Sequence, residues 1–179
     1  MSSDSLLPIA PALDVPLEML EACHQRIEQQ LGTLERLLAY LPEHGADESA
    51  RRAAQAVLRY FRQAGPNHHA DEENDLFPAL SQRATGADGV AVTKLVDILL
   101  AEHQLMAEAL AVVLAQLEPI AQGTGVHLDA AAVGRVATLY RRHIERENGE
   151  LLPLAHRWLT SQDIERLSTA MTDRRQPKR

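Results

Sequence analysis

Two segments of the chain, 68–78 and 143–153, repeat one pattern of potential metal ligands. In each, a His is followed four residues later by a Glu and ten residues later by a Pro. Residues four apart lie one above the other on one face of a helix, so each segment offers an imidazole beside a carboxylate. Two such pairs predict a site for two metal ions. The pairs are His68 with Glu72 and His143 with Glu147.

Two further histidines fall inside the apolar stripes of other predicted helices. His24 lies four residues after Leu20, and His103 lies four residues after Leu99. Both imidazoles are therefore expected to point into the core, where a polar group without a partner costs about 1–3 kcal/mol. Metal coordination would satisfy the buried imidazoles and carboxylates together.

The second predicted helix also offers a competing register, because His69 and Glu73 have the same four-residue spacing. The position of Pro78, ten residues after His68, selects the pair of His68 and Glu72. His69 is then an extra ligand, a hydrogen-bond donor to one of the ligands, or a neighbour that faces solvent. Glu73 is interpreted as a surface charge. The candidate metal ligands are His24, His68, His69, Glu72, His103, His143 and Glu147.

The helices that must position these ligands make an all-α protein, an up-down-up-down four-helix bundle with an additional short C-terminal helix. Ala, Leu, Glu, Gln and Arg dominate, and apolar residues recur every three or four positions. Four long helices with short loops pack as a bundle. We expect an irregular segment over residues 1–13, the bundle over 14–160, and a short helix with a basic tail over 161–179.

Proline and glycine set the expected boundaries of these helices. The first helix should begin near Pro16 and end before Pro42, and Gly65-Pro66 should kink or briefly break the second. Residues 85–89 are expected to form a loop before the third helix. Ser161 is the expected cap of the last helix, and the basic tail that starts at Arg174 is expected to be solvated and frayed.

Composition excludes several classes of function. The net charge is 18 − 25 = −7, which argues against non-specific binding to nucleic acid. The single cysteine, Cys23, excludes an intrachain disulfide and is interpreted as a small buried residue. No stretch reaches the roughly 18 apolar residues of a membrane span, and the first residues lack the basic start of a signal peptide. We therefore expect a cytoplasmic protein without a membrane partner.

The remaining histidines are weaker candidates for metal binding. His44 lies in a polar loop and His127 follows the loop 123–125, so both are expected to be exposed. His156 lies three residues after Pro153 and is interpreted as a packing or surface residue.

The proposed donor set favours a particular group of metals. Imidazoles and carboxylates without a thiolate exclude a structural zinc site built on cysteine and suit iron or manganese. If both carboxylates bridge two six-coordinate ions, about four coordination positions remain for dioxygen or peroxide. Ferritin-type bundles differ, because they use Glu-x-x-His with a spacing of three and more carboxylates.

In this combination the chain resembles the hemerythrin family, in particular the bacterial domains named for a His-His-Glu cation-binding motif. The resemblance covers about residues 16 to 159. It implies two non-heme iron ions, bridged by Glu72, Glu147 and an oxo or hydroxo oxygen. The motifs that carry it are His24, Glu102-His103, His68-x-x-x-Glu72 before Leu76-Phe77-Pro78, and His143-x-x-x-Glu147 before Leu151-Leu152-Pro153.

Two departures separate the chain from oxygen-carrying hemerythrins. The carriers have two histidines one turn apart on the third helix, but the neighbours of His103 at that spacing are Leu99 and Ala107. The carboxylate after His143 is a Glu four residues on, where the carriers have an Asp five residues on. These departures argue against reversible oxygen carriage. The ligand set with open positions, and without a recognisable general acid, favours a non-catalytic protein that binds or senses dioxygen or iron, and sensing would require an unidentified protein partner.

Two alternatives to a non-catalytic di-iron protein stay open at this stage. The same centre could work as an oxidase or a peroxidase-like enzyme, with Tyr60 and Tyr140 near the ligand helices. The histidines and glutamates could instead pair only with each other, inside a bundle that serves protein interaction.

Overall fold

Helices make up almost all of the structure, a computed structural model that describes residues 15–176. The predicted irregular segment over 1–13 and the end of the basic tail lie outside these residues. Within them there is no β-strand, so the predicted all-α class is confirmed. The helices are α1 (Pro16–His44), α2 (Glu48–Asp71), α3 (Phe77–Arg83), α4 (Gly86–Gln122), α5 (Ala130–Arg146), α6 (Leu152–Trp158) and α7 (Ser161–Arg175).

Two π turns join shorter helices into longer rods. The first π turn (Glu72–Leu76) links α2 to α3, and the second (Glu147–Leu151) links α5 to α6. In the first, the Phe77 N–H donates to the carbonyl of Glu72, five residues back. Each π turn begins at one of the two predicted glutamate ligands, and such turns are frequent at functional sites. The four rods of the bundle are therefore α1, α2–α3, α4 and α5–α6.

The four rods form a bundle whose core is divided into two parts. α2 packs against α1 and α4, and α5 packs against α4 and α1. His24 lies near the start of α1 and His68 near the end of α2, as expected for antiparallel neighbours. One apolar cluster includes Leu31, Leu34, Val57, Phe61, Val113, Leu117 and Tyr140. The other includes Leu20, Leu76, Leu80, Leu99, Leu151, Leu167 and Met171.

Two of the predicted proline boundaries were wrong. α1 runs through Pro42 to His44, and α2 runs without interruption through Pro66. Pro66 has no N–H to donate to the carbonyl of Arg62, but both residues are exposed, so water can satisfy that carbonyl.

The predicted loop over 85–89 was also wrong. α4 begins at Gly86, within the segment assigned to a loop. The other end of α4 closes at Gly123, whose φ of +74° is the left-handed cap conformation that glycine adopts without strain.

The N-terminus of α7 is capped by Thr160 and not by Ser161, so the predicted cap was wrong by one residue. The Thr160 hydroxyl accepts from the Asp163 N–H, and the Asp163 carboxylate accepts from the Thr160 N–H at 3.0 Å. Arg83 also donates to Asp163, at 2.8 Å. This capping box and ion pair fix α7 against the end of α3.

The first part of the basic tail is held in place, which corrects the prediction that it is frayed. Arg174 and Arg175 both pair with Asp71, which is fully buried in α2. Arg174 also donates to Asp75 at 2.6 Å. Because a buried carboxylate needs a partner, these two guanidinium groups dock α7 beside the first π turn.

α4 has more apolar residues than the bundle buries. It meets the length and composition criteria for a membrane span, as core helices of globular bundles also do. Only 33% of its most apolar stretch is buried. The outer surface of α4 therefore carries apolar residues that nothing in the bundle covers.

Candidate metal centre

The structure brings all seven predicted ligand residues together between the two apolar clusters. Their donor atoms form two groups, within each of which the atoms lie within 4.8 Å of one another. Glu72 belongs to both groups, so it links them. The His24 group consists of His24, His68, Glu72 and Glu147, and the His103 group consists of His69, Glu72, His103 and His143.

In the His24 group, imidazole Nε2 atoms face carboxylate oxygens. His24 Nε2 lies 3.0 Å from Glu147 Oε2, and His68 Nε2 lies 3.1 Å from Glu72 Oε1. The His24 and His68 rings meet edge to face, with centroids 5.0 Å apart. Donor atoms held at right angles about 2.1 Å from one ion lie about 3 Å apart, so these separations suit ligands of one ion.

In the His103 group, two imidazoles face each other. His103 Nε2 lies 3.1 Å from His143 Nε2 and 3.4 Å from Glu72 Oε2. Two nitrogens that face each other can share at most one proton. The His69 ring stacks on the His103 ring, with centroids 4.0 Å apart and planes inclined by 15°. The second π turn also reaches this group, since Glu147 Oε1 lies 3.2 Å from His143 Nε2.

The polar atoms of the centre are poorly satisfied by the protein alone, which is what a bound cation would correct. Within residues 15–176, seven buried side-chain nitrogen and oxygen atoms have no hydrogen-bond partner, and six of them belong to the His24 group. Five of these six atoms nevertheless lie 3.0–3.4 Å from an imidazole nitrogen or a carboxylate oxygen of the centre, in contact but without a well-formed hydrogen bond. The residues present therefore fit a group that accepts electron pairs from nitrogen and oxygen donors at once. The six atoms are His24 Nε2, both ring nitrogens of His68, Glu72 Oε2 and both carboxylate oxygens of Glu147.

Three imidazoles are oriented by hydrogen bonds at their outer nitrogen. His24 Nδ1 lies 2.7 Å from the side-chain oxygen of Asn148, and His103 Nδ1 lies 2.6 Å from Glu73. His143 Nδ1 lies 3.0 Å from a carboxylate oxygen of Glu102, which also pairs with Arg146. Because each oxygen accepts the Nδ1 proton, it leaves the Nε2 lone pair directed at the centre, as in ligating histidines of metal proteins.

Sequence reasoning missed the roles of Glu73 and Asn148. Glu73 was predicted to be a surface charge, but its partly exposed carboxylate hydrogen-bonds to the buried His103. Each of these two residues directly follows a glutamate ligand and lies in a π turn. The repeat of the two segments was the available signal, but regular helical spacing gave no reason to turn these side chains inward.

In the metal-free centre, neighbouring carboxylates raise the pKa of some imidazoles, and burial lowers the pKa of others, among them His68. Burial disfavours a charged His24, but the carboxylates of Glu147 and Glu72 raise its pKa to about 10. Burial also opposes the charge of Glu72, yet the neighbouring imidazoles, His68 first, hold its pKa well below the usual range. Burial together with the charge of His103 lowers the pKa of His69 to about 3. His69 is therefore a neutral imidazole with a free lone pair.

The three histidines interpreted as weaker candidates for metal binding lie outside the centre, as predicted. His44 is exposed and stacks on Tyr40, while His127 and His156 are also exposed. Cys23 is a buried free thiol.

A surface groove reaches one edge of the centre. It has a volume of about 550 Å³, lies between α1 and α5, and is lined by both His24 and Asn148. Arg141 pairs with Glu28 at 2.7 Å on its rim.

Comparison with known proteins agrees with this geometry. A family model described as the Hemerythrin HHE cation binding domain matches residues 15–155. The chain is also 30% identical over 163 residues to an uncharacterized protein of Haemophilus influenzae, and the match covers 91% of each chain. The matched region contains every residue of both ligand groups and of their hydrogen-bond partners.

Proposed function

Since the chain belongs to the hemerythrin HHE cation-binding family, we propose that it binds two non-heme iron ions, one in each ligand group. The metal-binding character follows from the family and the two clusters of His and Glu. The number and identity of the ions, and a role in binding or sensing dioxygen or a related small oxygen ligand, are our proposal.

The observation that carries the proposal is the set of six buried nitrogen and oxygen atoms in the His24 group that make no well-formed hydrogen bond, although five of them lie within 3.4 Å of an opposite group. Atoms of this kind, on buried imidazoles and carboxylates, are costly unless a cation accepts their lone pairs. The shared Glu72 supports two ions, because its two oxygens face different groups: Oε1 lies 3.1 Å from His68 and Oε2 lies 3.4 Å from His103. The mixture of imidazole and carboxylate donors suits iron.

The chain's own residues would prepare the site in three ways. Glu72 and Glu147 would supply negative charge at the first residue of each π turn. Glu73, Glu102 and Asn148 would hold three rings with Nε2 directed inward. Iron bound here would supply redox chemistry and open coordination positions for a small oxygen ligand.

The surroundings support a small and weakly polar ligand. Apolar clusters lie on both sides of the centre, and the groove at His24 and Asn148 would bring a diatomic molecule or a peroxide to its edge. We also propose a cytoplasmic location, which is supported by the single cysteine, a free thiol.

A non-catalytic role is preferred to an oxidase or peroxidase because the tyrosines are engaged elsewhere. Tyr140 packs its ring on Phe61, and the Tyr60 hydroxyl donates to the backbone carbonyl of Cys23 at 3.4 Å. Among the described residues, neither tyrosine has a hydrogen bond or ring contact with a member of the two ligand groups.

The test is anaerobic loading of the protein with ferrous iron, followed by metal analysis and visible absorption spectra before and after exposure to air. We expect about two irons per chain and a new absorption band after exposure. His24→Ala should reduce the iron content, whereas His127→Ala, at an exposed histidine outside the centre, should leave it unchanged. Well under two irons per chain in the parent protein would contradict the proposal.

A further inference from the structure

The outer face of α4 carries a continuous line of exposed residues, here called the α4 stripe. Its members are separated by three or four positions, so they follow one another along one side of the helix. All of them are exposed, and four are large apolar residues. The α4 stripe consists of Val90, Lys94, Ile98, Ala101, Leu105, Glu108 and Val112.

The residue types of the α4 stripe are arranged symmetrically about its centre, except that its two charged residues have opposite signs. Ala101 is at the centre. Ile98 and Leu105 lie three residues before it and four after it. Seven residues from the centre come Lys94 on one side and Glu108 on the other, and eleven residues from it come Val90 and Val112.

We propose that the α4 stripe is the interface of a homodimer, in which α4 packs antiparallel against α4 of a second copy about a two-fold axis at Ala101. A two-fold axis brings each surface patch against itself, so the patch must be self-complementary. About that axis, Lys94 meets Glu108 of the second copy, Ile98 meets Leu105, and Val90 meets Val112.

The charges of Lys94 and Glu108 favour a second copy of the chain as the partner and antiparallel packing of the two helices. Neither Lys94 nor Glu108 has an ion pair or side-chain hydrogen bond with another described residue, so both are free to pair across the interface. A parallel arrangement would instead place Lys94 beside Lys94 and Glu108 beside Glu108, and like charges in contact are unfavourable. A lipid surface would leave Glu108 without a cation, and the net charge of −7 opposes binding to anionic lipid.

The shape of the surface also suits a second helix. The small side chain of Ala101 at the centre allows two helix axes to approach to about 8 Å. From Val90 to Val112 the α4 stripe is about 33 Å long, at about 1.5 Å per residue. At its far end a groove of about 440 Å³ lies between α4 and α5 and is lined by Val112, Ala132 and Arg135. In the dimer this groove would receive Val90 of the second copy.

The first test is the mass of the full-length protein in solution by analytical ultracentrifugation, over a wide range of concentration. We expect a dimer that dissociates with a Kd in about the micromolar range, because a single pair of helices is a small interface. Leu105→Glu should give a monomer with unchanged helical circular dichroism. Leu100→Glu is the matched control, since Leu100 is exposed on α4 outside the α4 stripe, and it should remain dimeric.

A charge exchange tests the antiparallel direction. Lys94→Glu should weaken the dimer about ten-fold because it places like charges together at both ends. The double variant Lys94→Glu with Glu108→Lys should restore the original affinity. A monomer at every concentration, binding to lipid vesicles that depends on Leu105, or failure of the double variant to restore affinity would overturn the proposal.

Cross-linking provides a measurement that needs no disruptive substitution. Ala101→Cys should form a disulfide between two copies under a mild oxidant, because the residue faces itself across the axis. Val112→Cys should not, because it faces Val90; a disulfide at Val112 would show the parallel arrangement and contradict the proposal. Cys23 is buried and should not compete.

Discussion

The two halves of the candidate metal centre share a backbone plan but differ in the side chains behind the ligands. One half comes from α1 and α2 and the other from α4 and α5, and each has one His from a long helix, one His-x-x-x-Glu pair and one π turn that begins at the Glu. Three pairs of equivalent positions hold different residues. They are Glu73 and Asn148, Glu102 and Cys23, and His69 and Ile144.

Across the two halves, these differences place carboxylates behind the imidazoles of the His103 group only. Carboxylates of Glu73 and Glu102 accept the Nδ1 protons of His103 and His143. In the His24 group the corresponding partner is the neutral amide of Asn148, and His68 Nδ1 has no partner among the described residues. A carboxylate behind an imidazole makes it a stronger donor. We therefore expect the His103 group to hold its ion more tightly than the His24 group.

The largest expected effect separates the two glutamates. Glu72 has donor atoms in both ligand groups, whereas Glu147 is grouped with His24 and reaches the other group through one contact, from its Oε1 to His143 Nε2 at 3.2 Å. Glu72→Gln should therefore reduce the bound metal from about two ions to fewer than one, and Glu147→Gln should leave about one. Metal analysis after dialysis measures both. Equal losses in the two variants would show that the two carboxylates have the same role.

The next effect concerns His69, the one imidazole that has no counterpart in the half formed by α4 and α5. His69→Ala removes a neutral donor that stacks on His103 and should weaken one of the two binding steps about 100-fold, as expected for loss of a ligand or its immediate support. Ile144→Ala, at the equivalent position of the other half, should leave both steps within a few-fold of the parent. Titration with cobalt(II) under anaerobic conditions resolves the steps, and an unchanged His69→Ala variant would place His69 outside the ligand set.

Replacing Glu73 by an amide or Asn148 by a carboxylate should have a smaller effect, in opposite directions in the two ligand groups. Glu73→Gln should weaken metal binding in the His103 group about ten-fold, and Asn148→Asp should strengthen it in the His24 group by a similar factor. The same titration measures both variants. If both changed the same binding step, the assignment of Glu73 and Asn148 to different ligand groups would be wrong.

The smallest effect is the response of the metal-free protein to pH. Burial disfavours the charged imidazole, but Glu147 and Glu72 raise the pKa of His24 from 6.5 to about 10. The pKa values of His103 and His143 are also raised. A group with a raised pKa stabilises the folded state fully below its ordinary pKa, and this stabilisation is lost as pH rises through the folded value. The Tm of the chelated protein should therefore fall by about 5 °C as pH rises from 6.5 towards 10.

The metal-loaded protein is the control for this pH experiment. Metal binds the neutral imidazole, so its affinity increases as protons leave, and the Tm of the loaded protein should not fall over the same range. Differential scanning calorimetry of both forms makes the comparison. A Tm of the chelated protein that rose with pH would contradict the predicted pairing of imidazolium and carboxylate.

Regular helical spacing was sufficient to predict the fold class and the positions that form the centre. The four-residue spacing identified His68 with Glu72, and the apolar stripes placed His24 and His103 in the core, where both are buried. The interruption expected at Pro66 was wrong, because helix propensity takes no account of solvent. The carbonyl of Arg62, which receives no hydrogen bond from Pro66, belongs to an exposed residue and can bond to water. Glu73 was misjudged because a π turn, which no local spacing rule predicts, changes the direction of the side chains that follow.

The π turns also change what a deletion of one residue would do. In a loop such a deletion shortens a connection and leaves the helices on either side in place. In a regular α-helix the same deletion would turn every later side chain by about 100°, but within the first π turn loss of Asn74 would let a regular α-helix form from α2 into α3 with the later side chains close to their present directions. Leu80, now fully buried, would stay in the core, although its separation from Glu72 along the chain had changed by one position. A gap at this point in a comparison of related chains would therefore mark loss of the π turn beside the metal centre and not a rearranged core.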